Sequence, residues 1–268
     1  MERVGVFDSG VGGLSVVREM LVQMPGQPLV YLADQANAPY GQRSLEEIRA
    51  LSDGITRFLL GQGCGVIVVA CNTASAAALR CLRHKYPDIP FVGMEPAVKP
   101  AAERTHTRHV GVMATPATFQ SELFASLVDR FGKEVTVHTQ VCPDLVPLVE
   151  AGELETDRAR DAVQRYVEPL VAAGVDELVL GCTHYPFLRP LIEEAAGPEI
   201  EVLDPAPAVA RQAARVLAQY GWRAAGSGPA EHSFFTTGDA GRFTTALGEL
   251  LRGVYSAKQA AWHSGGLR

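Results

Sequence analysis

Short apolar runs alternate with helical patterns along the chain, and this alternation restricts the possible folds more than any other feature of the sequence. The apolar runs predict strands at Val4–Phe7, Leu29–Leu32, Val66–Ala70, Phe91–Gly93, Val110–Met113, Val135–Thr139, Glu177–Leu180 and Ile200–Leu203. Helical spacing lies between several of them, at Leu14–Met24, Leu45–Leu60, Ala74–Lys85, Thr118–Phe131, Asp157–Ala173 and Phe187–Ala195. Continuous apolar strands separated by helices are typical of parallel sheets that are buried on both faces. The sequence therefore predicts an α/β fold.

Two local repeats indicate that the chain contains two related halves. The segment VGVF at Val4–Phe7 recurs 106 residues later as VGVM, and VACNT at Val69–Thr73 recurs 111 residues later in outline as LGCTH. The first match is weak, because parallel strands often look alike, so the cysteine match carries most of the argument. If the two halves face each other, they share a cleft.

Two proline-rich segments, Pro96–Pro100 and Asp204–Pro207, are the candidate borders between these halves. The predicted domains are residues 1–97 together with 208–268, and residues 98–207. The C-terminal part has no counterpart in the second half, so we expect it to pack back on the first domain. Its predicted course is a helix from Ala208 to about Tyr220, a Gly/Pro/Ala stretch at Ala224–Ala230, the segment Ser233–Gly253 and a frayed tail.

Composition excludes several classes of partner. Of the 268 residues 47% are hydrophobic and 20% are charged, with a formal net charge of −6, as in ordinary globular proteins. The sequence contains no run of Lys and Arg of the kind that would indicate binding to a nucleic acid or a membrane surface. The most apolar stretch, Val66–Leu79, contains three polar residues and is too short to span a bilayer. A small anionic substrate remains possible, because backbone amides bind anions without a net positive surface.

Cysteine usage indicates a reducing compartment. The five cysteines are an odd number at irregular spacings, which does not suit a disulfide framework. The sequence also enters a strand-like run at once, with no apolar leader segment. We therefore expect a cytoplasmic protein.

Cys71 lies where a predicted buried strand meets a predicted helix. Ligands bind at the carboxyl ends of strands in open α/β sheets, and a thiol beside a helix N-terminus tends to have a lowered pKa. Asn72 or Thr73 is the predicted N-cap of that helix. The alternative is that Cys71 is a small buried residue, which is a common fate of free cysteine.

Cys182 occupies the same kind of junction, followed by Thr183 and His184. His184 can exchange a proton with a neighbouring thiol. The Cys-x-His spacing also allows a zinc site, but two ligands without a second cluster indicate one only weakly.

Two thiols on opposite sides of a cleft suit one chemistry closely, the inversion of a stereocentre by proton transfer. One group removes a proton from a carbon, and the other returns a proton to its opposite face. Such a site needs a perturbed pKa on each side. Without pyridoxal phosphate, it also needs preorganised donors for the charge that develops.

The N-terminal segment FDSGVGGLSV fits a site of this kind. Asp8 and Ser9 follow the first strand, and the simpler interpretation is an N-cap with a tight turn. A dinucleotide-binding loop is the sharper competitor, but Ser15 stands where its third glycine is required. Asp8 and Ser9 are therefore predicted site residues that hold a substrate ammonium group.

Two further segments have simpler explanations. The segment Ala38–Gly41 is typical of a turn, although its backbone amides and the Tyr40 hydroxyl could bind a carboxylate. Glu150, by pattern alone, is an ordinary exposed residue at a helix end.

As an ordered set, seven segments closely resemble the bacterial glutamate racemases of the aspartate/glutamate racemase superfamily. They are VGVFDSGVGGLSV, YLADQANAPYG, VVACNTASA, GMEPAVKPA, LVPLVEAGELE, LGCTHYPFL and FFTTGDAGRF, and they run from residue 4 to about residue 243. The resemblance implies two pseudo-symmetric, flavodoxin-like α/β domains with the active site in the cleft between them. It also implies interconversion of L- and D-glutamate, which supplies D-glutamate for peptidoglycan, without cofactor or metal. A homodimer is the assembly that it suggests.

The resemblance also implies roles for individual residues. Cys71 takes the proton from D-glutamate with the help of Asp8, and Cys182 takes it from L-glutamate with the help of His184 and Glu150. The implied substrate contacts are Asp8, Ser9, Tyr40, Gly41, Asn72, Thr73, Thr183 and His184. The segment Ala114–Thr118 departs from the usual pattern, so Thr118 is left out of the predicted site. The alternatives are a racemase of aspartate or another amino acid, and a non-catalytic member that binds an amino acid.

Overall fold

The computed structural model describes residues 3–132, 134–224, 228, 230–264 and 266–268. Its chain divides into two compact units. The first unit contains the chain up to Met94 together with Ala206–Arg268, and the second contains Glu95–Pro205. No helix among the described residues is long and apolar enough to cross a lipid bilayer.

The first unit begins with strands and helices in strict alternation. They are β1 (Arg3–Asp8), α1 (Leu14–Gln23), β2 (Leu29–Ala33), α2 (Leu45–Gly61), β3 (Cys64–Val69), α3 (Asn72–Lys85) and β4 (Phe91–Gly93). Short 3-10 helices at Gln35–Asn37 and Tyr40–Gln42 lie between β2 and α2. A capping box formed by Ser44 and Glu47 begins α2.

The second unit repeats this alternation. It contains α4 (Val98–Arg104), β5 (His109–Ala114), α5 (Pro116–Phe119), α6 (Glu122–Phe131), β6 (Thr136–Val141), α7 (Leu145–Glu150), α8 (Asp157–Ala172), β7 (Glu177–Leu180), α9 (Arg189–Ala196) and β8 (Glu201–Leu203). A 3-10 helix at Tyr185–Leu188 precedes α9. The helix predicted over Thr118–Phe131 is interrupted, because Ser121 caps a new helix by accepting a hydrogen bond from the backbone of Phe124.

The chain then returns to the first unit through α10 (Ala206–Gln219), β9 (Ser233–Thr236), α11 (Ala240–Leu251), β10 (Ala257–Gln259), β11 (Trp262–His263) and β12 (Gly266–Leu267). Strand β9 pairs in parallel with β2 of the first unit. The predicted stretch at Ala224–Ala230 falls in part outside the described residues.

The frayed tail is a wrong prediction. Strand β10 joins the sheet beside β9, β11 and β12 form an antiparallel hairpin, and the Trp262 ring packs against Gly54 of α2. The contacts that order this segment come from distant parts of the chain, so its local sequence does not show them.

Both main sheets are parallel at every described pairing, which confirms the predicted fold class. The first has the order β10-β9-β2-β1-β3-β4, and the second has the order β6-β5-β7-β8. Within each unit, therefore, the second strand lies beside the first, and the third and fourth follow on the other side. The strand order reverses beside the first strand, and the carboxyl edge at that point is where doubly wound sheets bind ligands.

Helices cover these sheets in groups. In the first unit α1 packs with α10 and α11, and α2 packs with α3. In the second unit α4 packs with α6, and α8 packs with α9. The strand side chains between them form the cores, which include Phe7, Ile67 and Val69 in the first unit and Val110, Val112 and Val179 in the second. Burial of these apolar side chains stabilises each sheet.

Candidate active site

Cys71 is itself the N-cap of α3. Its backbone is extended, and its buried Sγ accepts a hydrogen bond from the backbone N–H of Ala74 at 3.4 Å. The prediction that Asn72 or Thr73 caps this helix is therefore wrong, because the helix begins directly after the cysteine. The first N–H groups of a helix carry partial positive charge, which favours the thiolate form of a cysteine placed against them.

Asn72 follows Cys71 and has an unusual environment. Only 2% of its surface is exposed, and neither its Oδ1 nor its Nδ2 has a hydrogen-bond partner among the described residues. Buried amides are nearly always satisfied by protein, water or ligand. The Asn72 amide, next to the thiol and at a helix N-terminus, is thus suited to bind a polar ligand. Thr73 is also buried at this helix start.

Asp8 lies at the adjacent strand end and is fully buried. β1 and β3 are neighbours, and the backbone N–H of Ala70 donates to the carbonyl of Phe7, so Asp8 and Cys71 leave the sheet side by side. The Asp8 Oδ1 accepts hydrogen bonds from the backbone N–H of Ser9 at 2.6 Å and from its hydroxyl at 3.3 Å. The N-cap interpretation of these two residues is wrong, because the N-cap of α1 is Gly13 and no side chain caps this helix.

Tyr40 is buried in the same unit and donates its hydroxyl hydrogen to Asp34 Oδ2 at 2.6 Å. Burial raises the pKa of Tyr40 well above its usual value, and the charge and hydrogen bond of Asp34 raise it further, with smaller effects from Cys71 and Asp8. The Tyr40 hydroxyl proton is thus engaged with Asp34, and the expected role of this hydroxyl in binding a substrate carboxylate stays a prediction. The backbone amides of Tyr40 and the half-buried Gly41 remain suited to that task.

No sequence pattern described above singles out Asp34. Its fully buried carboxylate accepts hydrogen bonds from the side chains of Asn37, Tyr40, Thr237 and Trp262. Its place in the chain is the signal that indicates it, because Asp34 directly follows β2 at the same edge of the sheet as Asp8 and Cys71. This network connects the C-terminal strands to the loop that carries Tyr40.

In the second unit, Cys182, His184 and Glu150 form a connected series. The Sγ of Cys182 lies 3.7 Å from Nδ1 of His184, and Nε2 of His184 lies 2.7 Å from Oε1 of Glu150. Cys182 and His184 follow β7 and are buried, whereas Glu150 is the last residue of α7 and its side chain is 20% exposed. A thiol, an imidazole and a carboxylate in this order can hold and move one proton.

The surroundings of His184 favour its protonated form. Burial alone lowers the pKa of the imidazole, but the hydrogen bonds and charges of Cys182 and Glu150 outweigh it, so the pKa is raised well above its usual value. The protonated ring lies next to Cys182, with its Nδ1 3.7 Å from the Sγ. The two thiols therefore share one position in their sheets but have different neighbouring groups.

Glu150 and two threonines show where sequence patterns fall short. By its sequence pattern, Glu150 is an ordinary exposed residue at the end of a helix. Only the resemblance assigns it a role, yet its carboxylate contacts the His184 ring. Thr118, left out of the predicted site, is fully buried after β5, with its Oγ1 3.0 Å from that of Thr115. Thr118 lies on α5, four residues after β5 ends at Ala114. The predicted Thr183 is buried between Cys182 and His184.

Among the described residues, no group of three or more His, Cys, Asp or Glu side chains is arranged to hold a metal ion.

The chain matches known racemases over most of its length. Residues 8–213 match the family model described as Asp/Glu/Hydantoin racemase. It is 50% identical over 249 residues to a glutamate racemase of Ectopseudomonas mendocina, which covers 92% of this chain and 94% of the relative. It is 55% identical over 215 residues to a glutamate racemase of Herpetosiphon aurantiacus, which covers 80% and 84%.

Solved structures agree with these matches. The Escherichia coli glutamate racemase, in complex with L-glutamate and the activator UDP-MurNAc-Ala, superposes with a TM-score of 0.86 at 31% identity and covers 97% of this chain and 98% of that one. The Francisella tularensis glutamate racemase, in complex with D-glutamate, superposes with a TM-score of 0.82 at 26% identity and covers 96% and 95%.

Proposed function

The chain belongs to the Asp/Glu/Hydantoin racemase family, and from that premise we propose how it acts as a glutamate racemase: two thiols exchange the α-proton of glutamate without a cofactor. Its activity is the interconversion of L- and D-glutamate, as in the relatives that it matches. Cys71 and Cys182 are the two acid–base groups of this proposal.

The observation that carries the proposal is the equivalent placement of the two thiols. Each follows the third strand of its parallel sheet, where the strand order reverses, and each has acid–base partners beside it. Asp8 accompanies Cys71, whereas His184 and Glu150 accompany Cys182. A two-base racemase needs two such groups, since each serves as base in one direction and as acid in the other.

In the L-to-D direction, the Cys182 thiolate removes the α-proton of L-glutamate. The C–H bond breaks, an S–H bond forms, and the electron pair stays on the substrate as a planar carbanion. The Cys71 thiol then gives its proton to the opposite face, which leaves a Cys71 thiolate and D-glutamate. The D-to-L direction uses the same steps in reverse, so the mechanism requires both sulfurs to reach one carbon.

Polar groups beside the thiols bind the substrate in this proposal. The Asn72 amide, with both of its polar atoms available, contacts the α-amino acid end together with Thr73 and Thr183. Asp8 and Ser9 hold the ammonium group, and the amides of Tyr40 and Gly41 hold a carboxylate. Preorganised donors of this kind stabilise the negative charge that develops when the α-proton leaves.

The biological setting follows from the product. We propose that the enzyme works in the cytoplasm, where D-glutamate enters peptidoglycan assembly. The homodimer suggested by the resemblance is tested by light scattering of the purified chain.

The deciding experiment is enantiomer analysis of L-glutamate and of D-glutamate after incubation with the purified chain. Both are expected to reach a racemic mixture without added cofactor. Aspartate and other amino acids in the same assay test the alternative substrates. Glutamate binding without exchange of the α-proton for solvent deuterium would instead support the non-catalytic alternative.

A further inference from the structure

We propose that Tyr185 is a positioning residue for the Cys182 side of the reaction, tying the turn that carries Cys182 and His184 to the loop that leads to Glu150. This inference rests on the proposed function, because it assigns Cys182 one side of the racemisation. Neither the sequence patterns nor the implied family roles gave Tyr185 a task.

Tyr185 belongs to the same turn as the Cys182 thiol and the His184 imidazole. It follows His184 directly, is the first residue of the 3-10 helix, and its backbone N–H donates to the carbonyl of Cys182 at 3.2 Å. Its side chain is fully buried. The ring therefore has a fixed relation to both groups of this turn.

The acceptor of the Tyr185 hydroxyl lies on a separate segment, the loop before α7. The Tyr185 hydroxyl donates to the backbone carbonyl of Cys142 at 3.2 Å. Cys142 lies two residues before Asp144, the N-cap of α7, and α7 ends at Glu150. Because α7 has only six residues, or about 9 Å of helix, the position at which it starts determines where the Glu150 carboxylate lies.

A second hydrogen bond joins the same loop to a different helix, α8. The hydroxyl of Tyr166, on α8, donates to Asp144 Oδ2 at 2.6 Å. This bond joins the loop to α8, whereas the Tyr185 bond joins it to the turn with Cys182 and His184. Of the two tyrosines, Tyr185 is thus the one that sets the distance between Glu150 and His184.

Neither the Tyr185 hydroxyl nor the thiol of Cys142 exchanges protons with Cys182. Burial and the neighbouring charge of Cys182 raise the pKa of Tyr185 well above its usual value. Burial also raises the pKa of the Cys142 thiol, with a further contribution from Cys182. Both groups stay protonated at neutral pH, so the Tyr185 hydroxyl acts as a hydrogen-bond donor and has no acid–base role.

The test removes the hydroxyl and asks which side of the reaction slows. In Tyr185→Phe we expect kcat/KM to fall roughly tenfold to a hundredfold, the size of effect that a small misplacement of catalytic groups produces. The two enantiomers have equal free energies, so kcat/KM falls equally in both directions. The direction of the reaction alone cannot reveal the side that is affected.

Primary isotope effects separate the sides. With L-glutamate deuterated at the α-carbon, Cys182 breaks the C–D bond, so the isotope effect on kcat/KM should rise when the Cys182 step limits the rate. With deuterated D-glutamate, Cys71 breaks the C–D bond, and the isotope effect should fall. Partial unfolding lowers the rate but changes neither ratio, because an isotope effect is measured on the active fraction.

Two further variants complete the experiment. Tyr86→Phe removes a comparable hydroxyl, which donates to Asp53 at 2.8 Å at the far end of α3, and should leave both isotope effects unchanged. Replacement of Tyr185 by 4-aminophenylalanine keeps a donor at the ring end and should restore the parental isotope effects. Failure of this rescue overturns the donor role.

Unchanged isotope effects in Tyr185→Phe, beside an active parent chain, overturn the positioning role and leave the proposed function intact. The proposed function fails separately, if the parent chain itself does not racemise glutamate.

Discussion

The two cysteines occupy equivalent positions in their sheets but have different polar groups beside the sulfur. Cys71 accepts a backbone N–H at the positive end of α3. Cys182 lies beside His184, whose raised pKa keeps a positive charge near the sulfur, and Glu150 stabilises that charge. The different surroundings make separate variants of the two thiols informative.

Single replacement of either cysteine by serine should leave one half of the reaction. We expect Cys71→Ser and Cys182→Ser each to lower racemisation by at least about a hundredfold, because a hydroxyl is a far weaker acid than a thiol. In deuterated water, Cys71→Ser should exchange only the α-proton of L-glutamate, and Cys182→Ser only that of D-glutamate. NMR of each enantiomer measures this exchange.

Cys81→Ser is the matched control, because Cys81 is exposed on the same helix that Cys71 caps. It should keep parental activity. Full racemisation by either active-site variant would refute the two-base mechanism.

Gly181, immediately before Cys182, lies where no side chain fits. A Cβ there would be 2.7 Å from the carbonyl oxygen of Met113 and 2.9 Å from Cβ of Ala114. Because a backbone atom cannot move aside alone, Gly181→Ala should shift Cys182, lower kcat/KM by roughly tenfold or more and destabilise the chain by about 1–3 kcal/mol. Enzyme assays and urea unfolding measure the two effects.

Gly61→Ala serves as the comparison, because a Cβ at Gly61 meets nothing within 4 Å. It should leave kcat/KM unchanged. Equal activity of both alanine variants would show that the approach to Met113 does not position the thiol.

At the scale of elements, the C-terminal strands complete the first unit and also support its substrate loop. Thr237 and Trp262 both donate to Asp34, which in turn accepts the hydroxyl hydrogen of Tyr40. A buried carboxylate needs such donors, since each one lost leaves part of its charge uncompensated. The C-terminal segment is thus part of the apparatus that holds Tyr40.

Trp262→Phe keeps an aromatic ring beside Gly54 but removes the donor to Asp34. We expect a loss of about 1–3 kcal/mol in the free energy of unfolding and a higher KM for glutamate, because the Tyr40 loop is held less firmly. Urea unfolding and steady-state kinetics test both effects.

The other tryptophan provides a control within the same chain. Trp222 stacks on the exposed Tyr220, and Trp222→Phe should leave the KM unchanged. An equal change in KM for the two variants would argue against a specific connection through Asp34.

At the scale of the whole molecule, one buried carboxyl group makes stability depend on pH. Glu177, the first residue of β7, is buried, and its Oε2 has no hydrogen-bond partner among the described residues. Burial raises the pKa of Glu177 to about 7, with a further contribution from the charge of Glu201 and an opposing one from Arg104. This pKa lies above the value of about 4.3 for an unfolded glutamate.

The sign of the effect follows from proton binding. Between pH of about 4.3 and about 7 the folded chain holds a proton on Glu177 that the unfolded chain has lost, so stability falls as the pH rises through this window. A tenfold change in acidity corresponds to about 1.4 kcal/mol, so over this window the loss reaches at most about 4 kcal/mol. Glu177→Gln should remove this part of the pH dependence, as urea unfolding at pH 5 and pH 8 will show.

Glu199→Gln removes the same charge from an exposed position and should leave the pH dependence as it is in the parent chain. If Glu177→Gln retains the parental pH dependence, Glu177 does not titrate as its burial implies.

The sequence by itself determined the α/β class, most strands and helices, and the positions of the two thiols. These features depend on near neighbours: continuous apolar runs form buried strands, helical spacing forms the covering helices, and a thiol at their junction lies at the carboxyl edge of a sheet. The resemblance added Glu150, which no local pattern indicates.

Tertiary structure decided the contacts between residues that are far apart in the chain. Glu150 meets His184 across 34 positions, and Trp262 meets Asp34 across 228. The order of the C-terminal segment and the engagement of Tyr40 with Asp34 arise in the same way. A strand or helix pattern is set by the spacing of neighbouring side chains, whereas the partner of a buried polar group is set by the packing of elements that the local sequence does not specify.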